Sequence, residues 1–117
     1  MPVDEDEIVR KIISMSDLSA VGVYPGYEFY DDKTPQQRVE DERDWLAGSI
    51  EPYLASLGSP AERFWAEDLQ GPYSCFVRYV NKLIFLLGWS REDALREGER
   101  VVREAVRKFY AQRGQQP

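Results

Sequence analysis

Residues 73–87 constrain the fold of this chain more than any other stretch. At the helical repeat of about 100° per residue, the apolar side chains cover about 200° of a helix surface. The polar side chains share one narrow stripe, which consists of Ser74, Arg78, Asn81 and Lys82. A helix that is apolar over more than half of its circumference must be covered from several sides. We therefore predict an all-α fold, a compact bundle of about five helices around a central apolar helix (73–87).

The remaining helices are indicated by capping residues and by apolar side chains at helical spacing. They are expected at residues 4–15, 35–57, 60–69 and 90–112. Gly48, Ser49 and Pro52 should kink the 35–57 helix or divide it near residue 48. Gly98 should lie on the inner face of the last helix, where a missing side chain allows close helix packing.

Length and composition limit the classes of protein to consider. A chain of 117 residues is expected to form a single helical domain, 1–117, because two cores would each be too small. The chain has no histidine and one cysteine. Catalytic triads that need histidine, the common zinc sites and a disulfide framework are therefore excluded. No cofactor fingerprint is present, and we expect neither a cofactor nor a catalytic set of residues.

The charge distribution predicts where the chain acts and how its halves interact. The net charge of −6 is unfavourable for binding duplex DNA or an anionic membrane. The acidic N-terminus does not resemble a signal peptide, and the 73–87 helix is too interrupted by charge to span a membrane, so we expect a cytoplasmic protein. Residues 1–72 carry 16 acids and 6 bases, a net charge of −10, whereas residues 73–117 carry 5 acids and 9 bases, a net charge of +4. Attraction between the halves is the simplest use of this difference, with Arg78 or Lys82 paired to an acid from the first half.

The segment 17–33 is predicted to be an aromatic-rich loop, with a small hairpin as the second choice. Pro25-Gly26 favours a type II turn, whose twist suits a two-residue hairpin poorly. Four aromatic residues in the loop are interaction candidates: Tyr24, Tyr27, Phe29 and Tyr30. They either form a lid on the bundle or present a recognition surface, because tyrosine gives a large contact area at low entropic cost.

Two further segments carry aromatic or apolar side chains whose burial has to be predicted. Trp45 falls away from the apolar face of its helix and is expected to meet another element or to lie exposed. The short 60–69 helix is expected to bury Phe64, Trp65 and Leu69.

The last helix carries a row of arginines that is also an interaction candidate. Spacings of four, three and four residues place Arg96, Arg100, Arg103 and Arg107 within about 60° of arc. Such a row could follow a phosphate backbone. Each arginine also has an acid three or four residues before it: Asp93, Glu97, Glu99 and Glu104. A solvent-exposed face with intrahelical ion pairs is the favoured interpretation.

The carboxylates Glu40, Asp44 and Glu51 fall on one flank of the 35–57 helix. Helical bundles can hold Mg²⁺ or Mn²⁺ between carboxylates for phosphate hydrolysis, but such a site needs a second facing cluster. The favoured function is a non-enzymatic protein-interaction module, an accessory or regulatory subunit with a protein partner. We also expect a homodimer, since exposed aromatic residues and charge of opposite sign on the two halves favour self-association. The alternatives are an all-α carboxylate–metal phosphohydrolase and a nucleic-acid-associated protein that uses the arginine row.

Overall fold

A computed structural model describes residues 4–114, with every side chain in that range except those of Ala66 and Glu67. The helices in this range are α1 (Glu5–Met15), α2 (Pro35–Ala55), α3 (Ala61–Glu67), α4 (Pro72–Leu87) and α5 (Arg91–Gln112), with a short 3-10 helix at Leu18–Ala20. No β-strand occurs within residues 4–114, which confirms the all-α bundle. Apart from the short 3-10 helix, residues 17–33 form the predicted aromatic-rich loop and not the alternative hairpin. Neither α4 nor any other helix of the described range is long and apolar enough to cross a bilayer.

The helix starts follow the capping residues of the sequence. Thr34 and Gln37 form a reciprocal capping box, in which each side chain accepts a hydrogen bond from the other's backbone N–H. Asp4 caps α1 and Ser90 caps α5, each with a single hydrogen bond that its side-chain oxygen accepts from a backbone N–H of the first turn. At the end of α4, Gly88 adopts φ of 75°, a left-handed conformation that costs glycine little. Local chemistry alone therefore sets these boundaries.

Helix α2 is continuous through Gly48, Ser49 and Pro52, so of the two predicted alternatives, a kink or a division near residue 48, the division is wrong. Pro52 lies in the last turn of a helix that ends at Ala55. A proline there removes a single backbone hydrogen bond and leaves the preceding turns intact. The neighbouring Ser49 is buried, and its hydroxyl donates to the carbonyl of Leu46 at 2.7 Å.

Helix α4 is the centre of the bundle, as its apolar arc predicts, and it contacts each of the other four helices. Its buried apolar side chains are Cys75, Phe76, Tyr79, Val80 and Leu83. Gly98 of α5 lies against this face. A Cβ atom at that position would stand 2.8 Å from Phe76 Cε2 and 2.9 Å from Val80 Cγ2, so the predicted close approach is confirmed.

A buried ion cluster joins α2 to the polar stripe of α4. Glu42 is 5% exposed, and its Oε1 atom lies 2.9 Å from Lys82 Nζ and 3.4 Å from Arg78 Nε. This confirms the prediction that one of these bases pairs with an acid from the first half of the chain. Since Lys82 and Arg78 both reach toward water, Glu42 is the member of the cluster that has lost most of its hydration.

A second set of ion pairs joins the acidic start of α1 to α5. Arg107 Nε lies 2.8 Å from Glu5 Oε1, and Arg103 binds both Glu5, at 3.3 Å, and Asp6. Arg103 lowers the pKa of the Asp6 carboxyl, first through its hydrogen bond and then through its positive charge. The acidic first half and the basic second half of the sequence therefore form ion pairs with each other within a single chain.

Two glycines give opposite predictions for the same substitution. Gly98→Ala should lower the free energy of unfolding by about 1 kcal/mol or more, because overpacking costs about 1–3 kcal/mol and exceeds the gain in helix propensity. Gly48→Ala should raise it by about 0.5–1 kcal/mol, since apart from the adjoining backbone of α2 no described atom lies within 4 Å of the added Cβ. Urea unfolding of both variants measures this. A stabilised Gly98→Ala variant would contradict the close α4–α5 contact.

The buried ion cluster also makes a prediction. Glu42→Gln should lower the free energy of unfolding by about 2–3 kcal/mol, less than the ~3–5 kcal/mol of a fully buried pair, because Arg78 and Lys82 are partly hydrated. Replacing both partners, as in Glu42→Leu with Lys82→Leu, should recover part of the loss. The matched control is Glu51→Gln, the same substitution at an exposed position of the same helix, with an expected change within about 0.5 kcal/mol. Equal effects of Glu42→Gln and Glu51→Gln would refute a structural role for the cluster.

Candidate interaction surface

The aromatic loop crosses the polar stripe of α4 and is anchored there by Asn81. The Nδ2 atom of Asn81 donates to the carbonyl of Ala20 at 3.0 Å, and its Oδ1 atom accepts from the N–H of Gly22 at 2.8 Å. Val21, between these two contacts, is buried. The sequence pattern places Asn81 on the polar stripe but does not indicate this role, because its partners are backbone groups that carry no side-chain signature.

The four loop aromatics divide between the bundle and solvent. Tyr27 stacks on Phe29 with ring centroids 5.4 Å apart, and the guanidinium of Arg38 lies 3.6 Å from the centroid of the Phe29 ring. Tyr24 packs edge-on against Phe85 of α4, also at 5.4 Å. Tyr30 is almost fully exposed and donates its hydroxyl to Glu28. The loop is therefore packed on the ends of α2 and α4, and it also presents aromatic surface outward.

Tyr27 has an unusual environment within this loop. Its hydroxyl oxygen is enclosed and has no hydrogen-bond partner among the described residues. Burial, and next the negative charge of Glu42, raise the pKa of Tyr27 to about 12. A buried hydroxyl without a partner costs free energy, so this position is held by the packing of the ring rather than by its polar group.

The arginine row is occupied by ion pairs along its whole length. Arg96 pairs with Asp93 at 3.2 Å, and Arg100 pairs with Glu97 and with Glu104. Arg103 pairs with Glu99 at 3.9 Å in addition to its contacts with α1. The predicted partner of Arg107, Glu104, is wrong, since Arg107 binds Glu5 instead. Each of the four arginine charges is therefore already balanced by at least one neighbouring carboxylate.

The carboxylates of α2 do not form a cluster. Glu40 accepts a hydrogen bond from Gln36, and Asp44 lies 3.6 Å from a guanidinium nitrogen of Arg43. Within the part of the chain that the structure describes, no group of three or more acids or cysteines is placed to hold a metal ion. Cys75 is buried, and burial raises the pKa of its thiol, which disfavours the reactive thiolate.

Trp45 lies exposed and lines a groove together with a second tryptophan. It is 55% exposed, and with Trp65 of α3 it lines a groove of about 530 Å³ between the two helices. The backbone side of the groove is formed along α2 by Gly48, Ser49 and Pro52. We call this site the tryptophan groove. A side chain at Gly48 would stand in open space there, so the glycine leaves the groove accessible at some cost in helix propensity.

Two further apolar side chains in and after α3 are exposed. Phe64 is 64% exposed and packs edge-on against Trp65 at 5.4 Å, and Leu69 is 77% exposed. The expectation that this helix buries Phe64, Trp65 and Leu69 is therefore wrong. Helix α3 has seven residues and makes its main contacts with α2 and α4, which leaves most of its circumference uncovered.

The rim of the tryptophan groove is acidic. Lys33 and Asp41 line it together and neutralise each other in a 2.7 Å ion pair. The carboxylate of Asp44 also lines the groove and is 74% exposed. Its contact with Arg43, at 3.6 Å, is longer than a hydrogen bond. The groove therefore offers two indole rings and one weakly paired negative charge.

Comparison with protein-family models, curated proteins and solved structures finds no match for this chain. The geometry of the described residues is therefore the basis for assigning a function. The helical spacing of α2 indicates an exposed Trp45, because this residue lies off the apolar face of the helix, but no sequence signal indicates the exposure of Trp65 and Phe64. Their spacing is that of a buried helix face, and only the shortness of α3 could have indicated otherwise.

The unpaired hydroxyl of Tyr27 leads to a test of how the loop is held. Tyr27→Phe should raise the free energy of unfolding by about 1 kcal/mol, because it removes a buried polar group that has no partner. Thermal or urea unfolding provides the measurement, and Tyr30→Phe is the control, with a solvent-exposed hydroxyl and little expected change. Clear destabilisation by Tyr27→Phe would mean that the hydroxyl finds a partner in solution.

Proposed function

We propose that this chain is a non-enzymatic protein-interaction module, an accessory or regulatory subunit that binds a protein partner in the tryptophan groove. The observation that carries the proposal is the position of Trp45 and Trp65 on one groove, both open to solvent. Tryptophan dominates the binding energy of many interfaces, since a single ring buries about 150–250 Å² and keeps few rotamers.

The framework around the groove supports a binding role. Trp45 projects from the middle of α2, which is packed against α4 and α5 and linked to α4 through the Glu42 cluster. An indole on such a helix needs little ordering when a partner arrives, so less binding energy is lost. Phe64, which is exposed and packs edge-on against Trp65, extends the apolar area beyond the groove itself. Clustered exposed apolar groups of this kind mark interaction sites more often than scattered ones.

The two other functional hypotheses have less support among the described residues. Among the described residues no group of three or more acids or cysteines is placed to hold a metal ion, which gives the phosphohydrolase hypothesis no assembled site. The nucleic-acid hypothesis depends on Arg96, Arg100, Arg103 and Arg107, which are all paired with carboxylates. Neither hypothesis has an observation comparable to the tryptophan groove in its favour.

A peptide-display selection tests the proposed binding site. Random twelve-residue peptides would be selected on the immobilised wild-type chain, and the enriched peptides measured against two variants by fluorescence anisotropy. Trp45→Ala with Trp65→Ala should weaken binding roughly thirtyfold or more, as expected for two hot-spot residues. Trp89→Ala is the matched control, because Trp89 is comparably exposed but lies in the α4–α5 turn, away from the groove.

The selection has clear contrary outcomes. Peptides that bind the double variant as tightly as the wild type would place the binding surface elsewhere. Failure to enrich any peptide over the double variant would count against a binding role for the groove. Circular dichroism of both variants would verify that the helical fold is retained, as expected for exposed residues.

Self-association is a second candidate use of this surface. It is favoured by the exposed apolar residues around the groove, since a two-fold dimer places the same patch of both copies face to face. We expect sedimentation velocity to show a dimer at high micromolar concentration, which Trp45→Ala weakens more than Trp89→Ala does. A single monomer species across the concentration range would contradict the dimer, while leaving a heterologous partner possible.

A further inference from the structure

We infer that the partner segment presents an arginine side chain to the tryptophan groove, with its guanidinium against the indole rings of Trp45 and Trp65 and with the carboxylate of Asp44 as its counter-charge. This inference rests on the proposed function and specifies the chemistry of the partner.

The aromatic lining favours a cation over a purely apolar ligand. An indole face attracts a cation more strongly than any other side-chain ring, and the attraction grows as water is excluded. The groove is open rather than enclosed, and Trp45 remains more than half exposed. A flat guanidinium can stack on such an open indole and still hydrogen-bond at its edge, whereas a compact ammonium loses more hydration for the same contact.

The charge around the groove has the sign that a cation requires. Of the three ionised groups that line it, Lys33 and Asp41 pair with each other at 2.7 Å. Asp44 remains exposed, with Arg43 no closer than 3.6 Å. The net charge of these three groups is −1, and the net charge of the whole chain is −6. A cationic partner is therefore attracted at long range and meets a carboxylate at the site.

The shape of α2 allows the stem of a long side chain to reach this point. Gly48 follows Trp45 by one helical turn, and a Cβ added there would meet no described atom within 4 Å. Pro52 lies one turn further along the same face and provides apolar surface. An arginine stem of three methylene groups can lie along this surface while the guanidinium reaches the indoles, as long basic side chains do elsewhere.

The peptides enriched in the selection described above give the first test. We expect an arginine at one position of the binding consensus, and its replacement by glutamine should remove most of the affinity for the wild-type chain. Replacement by lysine should weaken binding by about tenfold or less, since the charge remains but the planar stacking is lost. Peptides that bind the groove through acidic or uncharged residues alone would overturn this inference and leave the proposed function standing.

A pair of charge variants gives the second test. Asp44→Asn should weaken binding of the arginine peptide by about two- to fivefold, the effect of an exposed ion pair, and should reduce the salt dependence of the affinity. Glu51→Gln is the matched control, because it removes one exposed charge from the same helix but lies outside the tryptophan groove. Equal effects of the two substitutions would show only general attraction to an acidic chain and would overturn the role of Asp44.

Filling the groove gives a third, charge-independent test. Gly48→Leu adds a side chain where the structure has open space, so the fold should persist, as circular dichroism can verify. Binding of the arginine peptide should fall by at least about tenfold, a loss typical of a blocked hot-spot pocket. Unchanged affinity in a folded Gly48→Leu variant would show that the arginine binds elsewhere.

Discussion

The fold depends on the need to cover α4 on nearly every side. Its apolar arc exceeds half of the helix circumference, so no single neighbour can remove it from water. Four helices meet this requirement together, and α5 can pack closely on α4 because Gly98 has no side chain. The hydrophobic contribution is proportional to the apolar area removed from water, which makes this enclosure the main source of stability.

The polar stripe of α4 restricts which groups can pack against that side of the helix, because its side chains need hydrogen-bond or ion-pair partners. Asn81 would be buried without partners unless backbone groups reached it, and the loop segment around Val21 provides them. Lys82 and Arg78 require a negative charge, and Glu42 supplies it from α2. A buried ion pair contributes little net stability, but a buried charge that lacks its partner is strongly destabilising. These contacts therefore mainly restrict which helix faces can pack together.

The candidate site arises where this enclosure stops. Helix α3 is too short to cover its own aromatic residues, and α2 turns Trp45 away from the core, so the two elements leave a groove with two exposed indoles. The site is thus a consequence of incomplete coverage beside a rigid helix. The arginine row has a more conspicuous sequence pattern than the two tryptophans, but its side chains form ion pairs along α5 and with α1.

The sequence by itself determined the helices, because capping residues, glycine stops and helical periodicity act within a few residues along the chain. It also determined that 73–87 is central and that charges of its two halves attract one another. Tertiary structure alone decided which charges meet, since Glu42 and Lys82 are forty residues apart and no local pattern relates them. It likewise decided that Trp65 and Phe64 lie outside the core. An apolar face on a short helix specifies that burial is favourable, but whether a neighbour is available to bury it depends on how the longer helices have already packed.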